Sequence, residues 1–202
     1  DSKLQLYTMD KLIIAAALFA LGLWIWSEYF RAIPNLEQAG VLKNFQVESI
    51  EPHQAEYRVL AKQYYGPERR TIHPASPVVG SFNDLAYVSN IDLLLTAPKI
   101  SSAVFKPFKL KQDKRCFNMT ATDAQANPAN IQPHLLNLSV IAASEAVANK
   151  IRRLKADQRI WLQGDWVQVK SATSQQEFQV GIGNPRSAQC RLFRITDLKV
   201  LD

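Results

Sequence analysis

The chain has 202 residues, a formal net charge of +6, 47% apolar and 21% charged side chains. This is a globular composition, and it excludes a disordered, collagen-like or repeat-built chain. The positive charge would suit anionic lipid, nucleic acid or an acidic protein. The interspersed acidic residues favour the alternative, a soluble, moderately cationic surface with no ligand.

An apolar segment near the N-terminus is the strongest signal in the sequence. After a tail at residues 1–11, residues 12–30 read LIIAAALFALGLWIWSEYF. A helix of this length is about 28 Å long, enough to cross a hydrocarbon core, and residues 12–26 show no polar face. Aromatic residues suited to the headgroup layer cluster at its C-terminal end, at Trp24, Trp26 and Tyr29. We predict a single transmembrane helix that makes the lipid bilayer one partner of the chain.

Small residues on this segment favour contact with another helix. Ala16 and Ala20 are four residues apart, and Gly22 is close by. Small residues at this spacing let two membrane helices approach closely. The alternative is that Ala and Gly are simply common in membrane helices. We predict helix packing through Ala16, Ala20 and Gly22 against other membrane-protein subunits.

Orientation is weakly encoded, because basic residues flank the apolar segment on both sides. A short tail before a signal-anchor helix favours translocation of the C-terminal domain. The chain has two cysteines, Cys116 and Cys190, an even count that suits a disulfide in an oxidising compartment. Two buried thiols are the alternative. We predict a disulfide, and a domain in the periplasm of a bacterial inner membrane.

After a linker at residues 31–44, the remaining domain, residues 45–202, is predicted to be rich in strands. Residues 45–51 alternate apolar and polar side chains and are predicted to be a strand that Pro52 ends. Residues 55–65 suit a helix or a strand, and we favour the strand.

Turn-forming residues divide the middle of the domain. Residues 66–80 and 121–134 are predicted loops. Residues 84–96 follow as mixed apolar structure in which Asp84 caps a helical turn. Residues 103–111 and 115–120 are predicted strand fragments, broken at Pro107.

The last third has the clearest pattern. Residues 135–142 are predicted to be a strand, followed by a short helix at residues 145–154 with Ser144 as its N-cap. Four further strands are predicted at residues 159–163, 166–170, 177–182 and 189–200, the first two around a turn at Gly164-Asp165. We interpret the fold as one N-terminal transmembrane helix plus a β-rich α+β domain, with a small, partly open barrel of the oligonucleotide/oligosaccharide-binding (OB) type as the first hypothesis. An irregular α+β sheet is the alternative.

Four stretches carry a resemblance to a known group of proteins. Residues 57–60 (YRVL), residues 84–86 (DLA), the block from Leu138 to Val169, and Cys190 resemble uncharacterised bacterial single-pass inner-membrane proteins with a β-rich periplasmic domain. The resemblance covers most of residues 55–200. It implies a bacterial envelope setting and no particular activity.

No pattern of a metal or catalytic site is present. The histidines His53, His73 and His134 stand apart, and the chain lacks zinc-ligand spacings, a GxSxG or SxxK motif and a phosphate-binding glycine loop. His53 and Tyr57 have the HxxxY spacing of the periplasmic haem chaperone of cytochrome maturation. In that family, however, the motif follows the barrel, whereas here it precedes most strands. We therefore predict no cofactor, no metal and no enzymatic activity.

Basic and aromatic residues form the one candidate ligand or partner surface. The candidates are Lys106, Phe108, Lys109, Lys111, Trp161 and Trp166. Such residues on one barrel face could stack bases and neutralise phosphates. The favoured alternative is ordinary strand alternation, with aromatic side chains in the core and lysines in solvent.

Two functional hypotheses follow. The first is a non-enzymatic structural or assembly subunit of a bacterial inner-membrane complex. The second is a membrane-anchored binding module for an anionic polymer or lipid headgroup, such as nucleic acid or a glycan. Of these partners, nucleic acid is the one we do not expect.

Overall fold

A computed structural model describes residues 2–67 and 84–202. The chain divides into two compact units, residues 1–32 and 33–202. Each is described by itself.

The first unit is one long helix, α1, at Ser2–Tyr29. Of the predicted tail at residues 1–11, residues 2–11 are helical and continuous with the membrane segment, and they contain no glycine or proline to break the helix. Within α1, Thr8–Trp26 is long and apolar enough to cross a membrane, and its side chains are exposed throughout. Exposure on every side fits a helix whose partner is lipid or another chain. The predicted packing residues Ala16, Ala20 and Gly22 all lie in this segment.

The second unit is built mainly from strands. Its helices are α2 (Val41–Asn44) and α3 (Glu145–Arg153). Its strands are β1 (Phe45–Tyr64), β2 (Ile91–Thr96), β3 (Phe108–Asp113), β4 (Cys116–Ala121), β5 (Leu135–Ala142), β6 (Arg159–Ser171), β7 (Glu177–Phe178) and β8 (Cys190–Val200). Short 3-10 turns connect several of them, including Leu85–Tyr87, which Asp84 caps by accepting a hydrogen bond from the amide of Ala86.

Strand pairing forms a mixed sheet in the order β1-β2-β5-β8-β6-β7, with a further pairing between β1 and β6. The pairings therefore run from β1 through β2, β5, β8 and β6 and return to β1. All are antiparallel except β5 with β8, which is parallel. The strands β3 and β4 form a separate antiparallel hairpin.

The length of β1 allows its two neighbours to lie on opposite sides. Residues 45–58 pair with β6, and residues 58–64 pair with β2. The prediction that Pro52 ends a strand is wrong, since β1 continues through it. Pro52 pairs only with β6, next to a bulge between Ser49 and Glu51, and a proline is tolerated where one side of a strand needs no amide donor. The strand favoured for residues 55–65 is confirmed as part of the same element.

The strands predicted at residues 159–163 and 166–170 are one continuous strand, β6, so the predicted turn at Gly164-Asp165 is wrong. Gly164 lies inside β6, beside an irregularity in its pairing with β8. A Cβ at this glycine would lie 1.8 Å from the carbonyl oxygen of Arg194 and 2.8 Å from the ring of Phe193. Gly164 therefore permits close approach of two strands, a role that glycine also has inside sheets.

Other predicted elements are placed with smaller differences. The strand at residues 135–142 is confirmed as β5, and Ser144 caps α3 by accepting a hydrogen bond from the amide of Val147. The strand predicted at residues 177–182 is limited to Glu177–Phe178. Of the predicted loop at residues 66–80, residues 68–80 lie outside the described residues.

Three apolar clusters pack the domain. The first is enclosed by the five strands of the circuit together with α3, and contains Leu93, Leu138, Ile151, Ile160 and Phe193. The second packs Phe45, Val167 and Leu192 against residues 36–41 and 85–88. The third packs the β3-β4 hairpin over Leu94 of β2. As a result, every residue of β2 and all but one of β5 are buried.

Candidate functional site

The β3-β4 hairpin separates the predicted basic and aromatic residues onto opposite faces. Phe108 is 9% exposed and belongs to the cluster over β2. Lys109 and Lys111 are exposed, as is Lys106 just before the strand. Alternation along β3 explains this arrangement, because successive side chains of a strand point to opposite faces. The predicted combination of Phe108 with the lysines on one exposed surface is therefore absent from the structure.

The tip of the hairpin has an unusual backbone. Lys114 and Arg115 link β3 to β4 with φ values of 50° and 62°. Two left-handed residues in a two-residue loop are the requirement of a type I′ turn, which glycine and asparagine normally satisfy. This conformation is disfavoured for lysine and arginine, so contacts made by the tip must maintain it.

Those contacts come mainly from Arg115 and centre on a carboxylate inside the domain. Asp92 of β2 is completely buried, and its Oδ1 accepts a hydrogen bond from Arg115 at 3.0 Å. Its Oδ2 accepts a hydrogen bond from the amide of Asn137 at 3.0 Å, and the oxygen of that amide accepts one from Gln112 at 2.8 Å. The guanidinium also donates to the carbonyl of Ser89.

Burial dominates the ionisation of this network. It raises the pKa of Asp92, although Arg115 and Asn137 act in the opposite direction. Burial, together with the charge of Asp92, raises the pKa of Tyr65 to about 12, and the guanidinium of Arg115 lies 4.4 Å above the Tyr65 ring. The network couples the hairpin tip to β2 and β5, and it explains why an arginine occupies a strained position.

A disulfide between Cys116 and Cys190 fixes the hairpin at its other strand, as the sequence predicts. Cys116 begins β4 and Cys190 begins β8, and both are buried. Gly181, with a φ of 70°, packs against the bond, since a Cβ there would lie 3.1 Å from the Cβ of Cys190. The hairpin is thus held over β2 by packing, by a buried ion pair and by a covalent link.

The two predicted surface tryptophans have different environments. Trp166 is buried, 5.0 Å from the ring of Phe193 and 5.1 Å from that of His53. The guanidinium of Arg191 covers its ring at 3.9 Å. Trp161 is half-buried. Its pairing partner on β8 is Lys199, whose Nζ lies 4.9 Å from the centre of the Trp161 ring.

The histidine and tyrosine of the HxxxY spacing bond to each other. The Nε2 of His53 and the hydroxyl of Tyr57 share a hydrogen bond of 2.8 Å. Both side chains pack into the aromatic cluster with Trp166 and Phe193. This arrangement gives the pair a packing role.

Asp165 and Arg194 form an ion pair next to this cluster. Arg194 donates two hydrogen bonds to the carboxylate of Asp165, at 2.9 and 2.5 Å. Burial raises the pKa of Asp165, but the hydrogen bonds from Arg194 and Ser49 outweigh it, so the net pKa is lowered. The pair therefore stabilises the ionised form of Asp165 at neutral pH.

Two shallow clefts in the described part of the domain share Phe178 in their lining. One, of about 370 Å³, lies where β6 and β8 diverge and is lined by Val167, Phe178 and Leu192, with Arg191 also lining it. The other, of about 290 Å³, is lined by Tyr65, Lys114 and Arg115 together with Phe178. Within residues 2–67 and 84–202, no group of three or more His, Cys, Asp or Glu side chains is arranged to hold a metal ion.

Comparison with known protein families, with curated proteins and with solved structures found no match to this chain.

Proposed function

We propose that the domain is a five-stranded barrel of the OB type. The support is the closed circuit of pairings among β1, β2, β5, β8 and β6. A helix, α3, follows the third strand of the circuit, β5, and precedes the fourth, β6, while the third and fifth strands, β5 and β8, are parallel. This is the arrangement of the partly open Greek-key barrels to which oligonucleotide- and oligosaccharide-binding domains belong.

We further propose that this chain is a non-enzymatic assembly subunit of a bacterial inner-membrane complex, and not an oligomer-binding OB domain. The observation that carries the proposal is the burial of β2 and β5 on both faces. OB domains bind polymers on the outer face of their second and third strands. Here the chain's own hairpin covers that face of β2 and is bonded to β8.

The setting that we propose is periplasmic. The chain has an N-terminal helix able to cross a membrane and a disulfide in its domain. Disulfides persist in oxidising compartments such as the periplasm and are rare in the cytosol. In this topology α1 anchors the chain, and Ala16, Ala20 and Gly22 let it pack against other subunits.

The anionic-ligand module remains the second candidate. Its support is the set of exposed lysines on the hairpin, Lys106, Lys109 and Lys111. It lacks the stacking aromatics that a nucleic-acid surface requires, because Phe108 and Phe117 are buried.

Replacement of Ala16 and Ala20 by leucine tests the assembly proposal. Leucine preserves hydrophobicity and membrane insertion but prevents close helix approach. We expect the variant to insert and fold, and to lose the proteins that co-purify with the wild type in mild detergent. A matched control exchanges Ile14 for leucine and Leu21 for isoleucine, at exposed positions of α1 away from the Ala16 and Ala20 face, and should retain these proteins. Full retention of partners by the alanine variant would contradict a role for the helix in assembly. An inactive alkaline phosphatase fused at the C-terminus would contradict the periplasmic location.

A further inference from the structure

The strand β3 has one paired side and one unpaired side. It pairs with β4 across six residues, from Phe108 opposite Ala121 to Asp113 opposite Cys116. The sheet that contains it has only these two strands. No other strand lies beside β3 in the described part of the chain.

The geometry of the hairpin identifies which backbone groups point away from β4. In a hairpin with a two-residue loop, the residues that flank the loop exchange hydrogen bonds, and bonded and non-bonded pairs then alternate. The loop is Lys114-Arg115, so Phe108, Leu110 and Gln112 direct their amides and carbonyls outward. The same alternation directs the carbonyl of Phe117 outward on β4, where it accepts a hydrogen bond from the side chain of Asn184 at 3.1 Å.

The two edges of the hairpin therefore differ. Asn184 occupies the end of the β4 edge at Phe117, whereas the outward backbone groups of β3 make no hydrogen bond with any described residue along the whole strand. An unpaired strand edge is a template for another strand. Only a polypeptide in extended conformation offers the matching sequence of donors and acceptors.

The positive charge of β3 and of the residue before it favours an acidic polypeptide. Lys106, Lys109 and Lys111 are exposed, and none of them has an ion-pair partner among the described residues. Lysines on an edge strand discourage pairing with an identical edge, because like charges would face each other. The same lysines favour a strand that carries carboxylates, since opposite charges across two strands attract.

We propose that the open edge of β3 docks an extended, acidic segment of a partner protein by strand addition. The proposal rests on the assembly function and names the surface and the chemistry of one contact. The occupant is a protein segment, because neither a lipid headgroup nor a nucleic acid can continue a backbone ladder.

The test uses the full chain in detergent micelles and a short synthetic peptide of alternating threonine and glutamate, long enough to span β3. We expect this peptide to bind the chain, and fluorescence anisotropy of the labelled peptide measures the affinity. A peptide with lysine in place of glutamate should not bind. The glutamate peptide with N-methyl groups on alternate amides should also fail to bind, because methylation removes the donors that the ladder requires.

Replacement of Lys109 and Lys111 by glutamate provides the protein-side test. We expect affinity for the acidic peptide to fall about tenfold or more, from the loss and reversal of two cross-strand charge pairs. A matched control replaces Arg153 and Lys155, which are exposed elsewhere on the domain, by glutamate. This control has the same change in net charge and should bind the peptide like the wild type.

Three results would overturn the proposal. One is equal binding of the methylated and unmethylated peptides, which would indicate charge attraction without strand addition. Another is equal loss of affinity in the Arg153 and Lys155 control. The third is absence of binding to the peptide together with saturable, lysine-dependent binding of an oligothymidylate or of soluble glycerophosphoglycerol, which would indicate a phosphate-bearing ligand.

The assembly function can fail independently of this proposal. If the Lys109 and Lys111 variant keeps every co-purifying protein while the Ala16 and Ala20 variant loses them, the docking edge is wrong and the assembly function stands. If neither variant loses a partner but the peptide binds as expected, the edge is a real docking site and the helix-mediated assembly is wrong.

Discussion

The covalent link between the hairpin and β8 should supply a large part of the stability of the domain. Replacement of Cys116 and Cys190 by alanine removes it without placing a hydroxyl in the buried positions that these residues occupy. The two cysteines are 74 residues apart in sequence. For a closed loop of this size, the chain-entropy model gives a loss of about 4.5 kcal/mol at 25 °C. Small domains are stabilised by only about 5–15 kcal/mol in total.

Urea unfolding of the full chain in micelles measures this effect. Trp161 and Trp166 report on the domain by fluorescence, and a shift in midpoint at constant slope gives the change in free energy. Reduction of the wild type should lower its midpoint to that of the variant, and the reductant should not affect the variant. A difference below about 1 kcal/mol, well under the contribution typical of a disulfide, or free alkylation of both cysteines in freshly isolated membranes, would refute the reasoning.

Three further predictions concern single positions in the domain. Replacement of Gly164 by alanine should destabilise the domain by about 3 kcal/mol, because the added methyl group overlaps the backbone of β8. The same change at Gly66, where an added Cβ would lie within 4 Å of no described residue beyond its chain neighbours, should leave the urea midpoint unchanged. Replacement of Arg115 by methionine should cost about 3–5 kcal/mol, because it removes the cation that faces the buried carboxyl of Asp92 and leaves it only neutral donors such as Asn137. Additional replacement of Asp92 by leucine should restore much of the thermal stability. Because the pKa of Asp165 is lowered in the folded state, its carboxylate stabilises the fold at neutral pH, and this stabilisation is lost as the pH falls below about 4. The Asp165→Asn variant should therefore lose less stability than the wild type between pH 7 and pH 3. Equal losses in the two proteins would contradict a stabilising ion pair at Asp165.

Elements whose signals are local were predictable from the sequence. The strand at Leu135–Ala142 and the helix capped by Ser144 have the apolar pattern, cap and charges that specify them without help from distant residues. The disulfide followed from the even cysteine count. The alternation of Phe108 with its flanking lysines was the favoured alternative, and it is what the structure contains.

Features created by distant pairing were not predictable in the same way. Pro52 and Gly164 normally signal turns, and each instead lies inside a long strand because of its neighbour in the sheet. Arg115 gave no signal of a structural role, since its partner Asp92 is 23 residues away. Trp166 was a candidate surface residue, and it is covered because β8 brings Phe193 and Arg191 against it.

The mass of the particle that contains this chain in gently solubilised membranes tests the assembly function most directly. It can be measured by native electrophoresis and by mass photometry of the purified wild type. An assembly subunit should migrate predominantly in a particle much heavier than one chain with its detergent, and the Ala16 and Ala20 leucine variant should migrate as the single chain. Migration of the wild type as a single chain at every detergent concentration would contradict the account.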